Sequence, residues 1–428
     1  MPEFIDLYIR DLFSKANVLR SLYNLHEDHG LSNVLGDYFD KYWVEFKFSK
    51  DSSIDFNVFA VDSSSRHLNT GNGGIFYVAR ALGLTGSGDV YRRVDCGFDF
   101  CFTGNGSEFI GRVMEWLEHL TIIDALNSGF RGVVLLDGSI YGRLSHVPLE
   151  FNLTSNKDFM IKYFDDLIKL MDLCRRFKVP LIGVSKGSVS HFFRDFLFGL
   201  LAVDVGVKLG FDALSIKNWI FKIFDARRSA ANILSGLPED LKKIFIGLIH
   251  RKPDFQLILR YSKSTGYTFP LLLNPPPRTI RAFKLAERNP IDFLKAAFPY
   301  SSLSGGFIDW AVNVVSKLKD LPAIISFHVL PSLGDIPMRI DVPAWFFDVD
   351  EKFINFKWPE AIDVDVTPIL NILSAGYCGL DNHNVWLTSV DRMVRLGRRV
   401  FEDMYLSKFE EIVNAKVTSR GYRRVRYP

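Results

Sequence analysis

The 428-residue sequence predicts an α/β fold built on one mixed sheet, an antiparallel meander plus parallel strands, flanked by helices and carrying a helical insertion. Three observations predict it. Three runs rich in β-branched and aromatic residues follow one another through Gly-rich turns. Two short apolar runs then alternate with helical segments. A long, mostly helical stretch separates these from two further strand signals.

Residues 1–50 read as an N-terminal cap of two helices, Ile5 to Tyr23 and Leu31 to Lys47. The first core segment, 51–190, opens with the strand Asn57-Val-Phe-Ala-Val-Asp62, which ends in the polar Asp62-Ser-Ser-Ser65. Gly74 to Leu84 and Val90 to Thr103 are two more strands. The links Thr70-Gly-Asn-Gly-Gly74 and Gly86-Ser-Gly88 are turn chemistry, so these three strands pair antiparallel. A helix from Asn105 to Asn127 leads to Arg131-Gly-Val-Val-Leu-Leu136, a run too short for a helix and closed by Asp137-Gly-Ser139. A second helix, Lys157 to Phe177, feeds the strand Pro180 to Val184, closed by Ser185-Lys186-Gly187. Apolar strands alternating with helices predict parallel addition.

Residues 191–318 form the helical insertion. Strand signals return at Ala323 to Leu330 and Pro337 to Pro343, inside a second core segment, 319–410, that closes with a helix from about Asp381 to Phe409. Residues 411–428 are a basic tail.

The composition, 48% apolar and 24% charged, excludes wholesale disorder. The most apolar stretch, Phe196 to Val207, contains Asp204 and is followed by Lys208, so it reads as a buried helix and not a membrane span. Met1 to Arg20 carries charges throughout and lacks the apolar core of a signal peptide; the expected location is cytoplasmic. A net charge of +3 neither demands nor excludes a polyanionic partner. Four cysteines are too few for a disulfide framework. Cys96 and Cys101, at odd spacing on one strand, fall on opposite faces and read as small core residues.

Asp62 and Asp137 share a context: each ends an apolar strand, with Ser close behind. Strand ends in such sheets are where ligands bind, although a lone aspartate there also serves as a turn former or cap. On the helix between them, Glu115 aligns with Arg112 and His119 on a polar, solvated face. Glu118 is flanked by Met114 and Ile122, where an unpaired carboxylate is costly and needs a cation. Carboxylates converging at a strand edge make a hard oxygen site suited to Mg²⁺ or Mn²⁺.

Asp62-Ser-Ser-Ser, Glu118 and Asp137-Gly-Ser, in this order and spacing, resemble the NurA nucleases, archaeal and bacterial end-processing enzymes with an RNase H-like core. Gly183-Val-Ser-Lys186 is similar to the family's strand ending in Ser-Lys, Met338-Arg339-Ile-Asp-Val-Pro343 to its Arg-bearing strand, and Gly376-Tyr377 with Asn382-His383 to its histidine motif. The resemblance covers roughly residues 55–190 and 320–405. Asp341 departs from it, standing where Glu is more frequent, as does the Cys-bearing Gly376 to Leu380 segment.

The resemblance implies a Mn²⁺-dependent (or Mg²⁺-dependent) nuclease acting on single-stranded DNA and on 5′ ends of duplex DNA. It further implies a homodimer docked on a hexameric HerA-type ATPase in DNA end resection, with no membrane association. Asp62, Glu118, Asp137 and His383 are its expected metal ligands and catalytic groups, in a two-ion hydrolysis. By its position alone His383 is a core histidine; the family pattern favours a ligand or proton-transfer role. Lys186 is a solvated turn lysine or a group that neutralises a scissile phosphate. Arg339 is a phosphate clamp or the partner of Asp341. Arg392, Arg395, Arg398 and Arg399 lie off the apolar stripe Trp386, Val390, Met393, Val394, Val400 and Phe401; Arg395 and Arg399 are the DNA contacts expected among them, and a solvated face is the plainer reading. Two other functions remain open: a non-catalytic scaffold that regulates an ATPase ring, and an actin-like kinase. The second would need a duplicated core and a second Gly-rich loop, and the sequence repeats neither.

Overall fold

The computed structural model describes residues 4–23, 31–48, 57–101, 106–225, 230–250, 252–379 and 382–418. The basic run Arg420 to Tyr427 lies outside them, as do Thr103, Asn105, Leu380 and Asp381. In chain order the elements are α1 (Ile5–Tyr23), α2 (Ser32–Lys41), β1 (Trp43–Glu45), β2 (Val58–Asn69), β3 (Gly74–Thr85) and β4 (Val90–Phe100). Then come α3 (Gly106–Asn127), β5 (Val133–Asp137), α4 (Ile140–Leu144), α5 (Phe159–Phe177) and β6 (Leu181–Ser185). The middle stretch holds α6 (Phe192–Lys208), α7 (Ala213–Asp225), α8 (Ala230–Ser235), α9 (Glu239–Ile249), α10 (Asp254–Tyr261), β7 (Gly266–Thr268), β8 (Leu271–Leu272), α11 (Pro277–Arg288), α12 (Pro290–Ala297) and α13 (Phe307–Val315). The chain continues with β9 (Ile324–Leu330), β10 (Met338–Pro343), β11 (Glu360–Ala361), α14 (Thr367–Gly376), α15 (Val385–Val394), α16 (Arg398–Val400) and α17 (Ser407–Val413).

Two compact units result: residues 1–43 with 189–262, and residues 44–188 with 263–428. The first is helical. In it α6 packs against α2, α7, α9 and α10, and Phe39 is set among the rings of Trp43, Phe193 and Tyr261.

The second unit is built on a mixed sheet in the order β1-β7-β9-β10-β6-β5-β2-β3-β4, with β8 pairing β9 and β11. β2, β3 and β4 form the antiparallel meander, and β5 and β6 add parallel to β2. One face of the sheet buries Val58, Ala60, Leu135, Ile182, Val184 and Ile340 under Ile369, Leu373, Leu387, Val390 and Val394 of α14 and α15. On the opposite face α3 packs against β2, β3, β4 and α5. None of the described helices is long and apolar enough to cross a membrane.

Several expectations need correcting. β2 does not end at Asp62-Ser-Ser-Ser65: it runs to Asn69, because β3 offers backbone partners along its whole length, from Phe59↔Thr85 to Asn69↔Ile75. The helix expected to reach Lys47 stops at Lys41, and the β-favouring Trp43-Val-Glu45 becomes a strand. The short strands β7, β8 and β11 carry too few residues to leave a periodic signal. Cys96 and Cys101 are not core residues; Cys96 is exposed and Cys101 half-buried, because β4 is an edge strand with one solvated face.

The last helix is not continuous. It breaks at Arg395-Leu396-Gly397, where β2 and β3 hold the backbone. Arg80 donates to the carbonyls of Val394 (2.8 Å) and Arg395 (3.0 Å), Arg66 to that of Leu396 (3.0 Å), and the Leu396 amide donates to Ser64 Oγ (3.0 Å). Past the break the helical phase is reset. Phe401 is buried and stacked on Phe76, while Val400 of the expected stripe is exposed; Met393, before the break, is exposed as well.

Candidate active site

The site begins with register. In the parallel β2–β5 ladder Val61 pairs with Leu136, so the next position sets Asp62 beside Asp137 where that ladder ends. Alternation along each strand puts both on the face of Ala60 and Leu135, toward α15. The chain can turn sharply after Asp137 because Gly138 adopts φ +114°. Ser139 then caps α4, accepting from the Gly142 amide at 2.8 Å. Gly183 lets β6 pass under this turn: a Cβ there would lie 2.8 Å from the Gly138 carbonyl oxygen.

Asp62 accepts a hydrogen bond from the Ser63 amide at 2.7 Å and has no lysine or arginine partner among the described residues. Burial, then the charges of Glu118 and Asp137, push its carboxyl up to about 7. Asp391, on α15, adds to the same push. A cation here would offset the three negative charges that face Asp62. Asp137 already has one: Lys186 Nζ lies 3.1 Å from its Oδ2.

Glu118 reaches the sheet from the other face. Ser63 Oγ donates to its Oε1 and Arg143 to its Oε2. Burial pushes the Glu118 carboxyl up against the opposing pull of Arg143 and Ser63. The cation that the apolar flank of Glu118 demands is therefore present as Arg143, which also donates to the Glu115 carbonyl (3.2 Å) and contacts His119 Nε2 (3.1 Å). Glu115 is not on a solvated face. It accepts from Tyr163 (2.7 Å) and Arg112 (3.2 Å), and pairs with His146 (3.0 Å).

Arg339 is 6% exposed and is held by Asp341 through two bonds of 3.1 and 3.0 Å. Asp341 also accepts from Ser139 (2.7 Å), Ser326 (2.9 Å) and the Tyr141 amide (3.2 Å), so Arg339 and Asp341 pin the turn after Asp137. His383 stands with Asp335, its Nδ1 3.7 Å from Oδ1. Among the described residues no three His, Cys, Asp or Glu side chains gather as ready-made metal ligands. The structure brings Asp62 and Asp137 together, seats Glu118 against Ser63 on the other face and keeps His383 with Asp335. Arg399 is exposed and pairs with Asp403 at 3.3 Å; Arg395 is exposed at the helix break.

Sequence reasoning passes over Arg143, Asp335 and Asp391, and takes Ser63, within Asp62-Ser-Ser-Ser65, only as a residue that caps or orients the backbone. Only Asp391 left a signal, as the acid next to the buried Val390 on the helix facing Asp62. Arg143 lies in a five-residue helix with no periodicity of its own.

A mixed sheet whose parallel β2–β5 ladder ends at paired aspartates backed by a buried glutamate defines an α/β protein with an acidic site at the end of that ladder. The model of the NurA domain matches residues 56–356, and the chain belongs to the NurA family of nucleases. Among solved structures, the NurA nuclease from Sulfolobus solfataricus is 15% identical, with a TM-score of 0.49 over 96% of each chain. A NurA bound to dAMP and manganese is 12% identical, with a TM-score of 0.46 over 96% of this chain and 98% of the other. None of the curated proteins matches the chain.

Proposed function

We propose that this protein is a divalent-metal-dependent DNA nuclease. The observation that carries the reading is Asp62 set beside Asp137, with one carboxylate lacking a cation and both oxygen-rich. Such a pair fits Mn²⁺ or Mg²⁺, both hard ions that prefer carboxylate oxygens. Asp62 and Asp137 would hold the ion. Bound there, it supplies Lewis-acid polarisation of a scissile phosphate. Lys186, already beside Asp137, contributes positive charge where a phosphate approaches. Glu118, fixed by Ser63 and Arg143, adds negative potential behind Asp62 and so favours a cation. The two-ion form of the chemistry needs Glu118 as a ligand, and its oxygens are engaged; we therefore assign one ion to the aspartate pair.

Family membership supports DNA as substrate, single-stranded and at duplex 5′ ends, with the chain acting as a homodimer beside a hexameric HerA-type ATPase in end resection. The antiparallel meander continued by two parallel strands supports the RNase H-like reading of the core. The test is cleavage of end-labelled single- and double-stranded DNA with Mn²⁺, Mg²⁺ or EDTA. Metal-dependent cleavage by the wild type that is lost in Asp62→Ala and Asp137→Ala supports the reading, and undiminished activity in both variants ends it.

A second reading has its own observation. Arg143 occupies Glu118 from within the protein and leaves it less free to take a metal, as suits a NurA-like scaffold that regulates an ATPase ring without cutting. Stable binding to the ATPase, with no metal-dependent cleavage of any DNA by the wild type, would select it.

A further inference from the structure

Asp335 lies in the loop between β9 and β10 and is 3% exposed. No lysine or arginine pairs with it among the described residues. Both of its oxygens are committed to two segments. Tyr377 donates its phenol hydrogen to Oδ2 at 2.9 Å. Oδ1 accepts the Ile336 amide at 2.7 Å and faces His383 Nδ1 at 3.7 Å. That ring nitrogen is buried and makes no hydrogen bond. A buried carboxylate is costly unless donors and positive charge compensate it, and here the donors are the Tyr377 hydroxyl and the Ile336 amide, with the His383 ring facing Oδ1 without a hydrogen bond.

The position of the cluster follows from register. Arg339 pairs with Ser185, so the chain enters β10 beside Lys186, and Asp335 comes just before that entry. Lys186 is the residue that pairs with Asp137. Tyr377, Asp335 and His383 thus stand at the sheet edge that carries the aspartate pair. Burial and the bond to Asp335 push the Tyr377 phenol up to about 12, so it stays a donor to the carboxylate.

We infer that Asp335 is a positioning residue: it fixes Tyr377 and the ring of His383 side by side at the strand edge, with Nδ1 turned inward and Nε2 left to serve the substrate. This rests on the nuclease reading for its consequence, but not for its geometry. A carboxylate hydrogen-bonded behind a histidine sets the ring's tautomer and orientation, and loss of such a partner costs about 10–100-fold in activity; here the ring has to close a 3.7 Å gap to make that bond.

The experiment uses the full chain, labelled with ¹⁵N in histidine, with the His383 signals identified by their loss in His383→Ala. Asp335→Asn is expected to shift the His383 ring signals in a protein that keeps its melting temperature. With DNA and Mn²⁺, it should lower kcat about 10–100-fold with KM within about twofold. In the His383→Ala background, Asp335→Asn should add little further loss. Unmoved ring signals in folded Asp335→Asn, or an equal cost with and without His383, overturns the inference. If Asp335→Asn does not fold, Tyr377→Phe removes the side-chain donor that holds the Asp335 carboxylate and should shift the same His383 signals; unchanged signals there also overturn it. A wild type that does not cleave DNA defeats the nuclease reading alone, and the ring signals still decide the role of Asp335.

Discussion

The guanidinium of Arg143 closes on the carboxylate of Glu118, and each side chain is only 5% exposed. Removing one member of such a pair leaves a buried, uncompensated charge, at a cost of about 3–5 kcal/mol. Arg143→Met is therefore expected to lower the unfolding free energy by about that amount, measured by urea denaturation. Glu118→Gln added to it should recover part of the loss, because the stranded charge is gone. A stable Arg143→Met protein would mean that Glu118 has some other counter-charge.

Asp62 faces the charges of Glu118 and Asp137 with no cation of its own. In EDTA, Asp62→Asn should melt no lower than wild type, since the substitution removes that repulsion. Mn²⁺ should raise the melting temperature of the wild type, and metal at a hundredfold excess over its dissociation constant corresponds to about 2.7 kcal/mol. The rise should vanish in Asp62→Asn and in Asp137→Asn. An equal Mn²⁺ response in all three proteins would place the ion elsewhere.

His328 supplies a pH dependence of its own. Burial, then Arg339, lowers its imidazole from the ordinary 6.5 to about 3, with Asp341 opposing. The unfolded chain binds the proton first, so stability is complete above about pH 6.5 and falls as the pH drops toward 3. The slope from this group is at most about 1.4 kcal/mol per pH unit. A His328→Gln variant that folds should show a shallower loss of stability between pH 6 and pH 4, read from denaturation curves of the two proteins at matched pH. Parallel curves would mean that the ring is protonated in the fold.

Much of this arrangement was legible in the sequence because it depends on short-range signals. The turn glycines of the meander and the apolar runs before Asp137 and Ser185 each act within a few residues, and the observed elements follow them. The break after Val394 was not legible. Nothing between Arg395 and Gly397 forbids a helix as Pro would. The carbonyls there are taken by Arg66 and Arg80, hundreds of positions earlier in the chain. The true extent of β2 was hidden for the same reason, since Ser63, Ser64 and Ser65 are poor strand formers that pairing with β3 carries along. In the candidate site, the pairing of Asp62 with Asp137 could be read from two similar apolar runs that each lead into an aspartate, although only β5 ends there and β2 continues to Asn69. The hold of Arg143 on Glu118 could not, because it joins two helices through a side-chain contact that leaves no periodic trace.

Lys186 lies 3.1 Å from Asp137 and is about one-third exposed, so two roles compete for it: counter-ion to the aspartate and contact for a DNA phosphate. Lys186→Met separates them. As a counter-ion, the lysine competes with a divalent cation for Asp137. A partly exposed pair is worth about 0.2–1 kcal/mol, so its loss should tighten Mn²⁺ binding by no more than about fivefold. As a phosphate contact, the lysine releases one counterion on binding, and its loss should reduce the slope of log affinity against log salt by about one. Calorimetry with Mn²⁺ reads the first effect, and DNA binding in EDTA across a salt series reads the second. Tighter metal binding with an unchanged salt slope confines Lys186 to Asp137. A reduced slope gives it the DNA backbone as well. If neither quantity moves, the ion pair has no bearing on metal or DNA, and Lys186 is a turn residue.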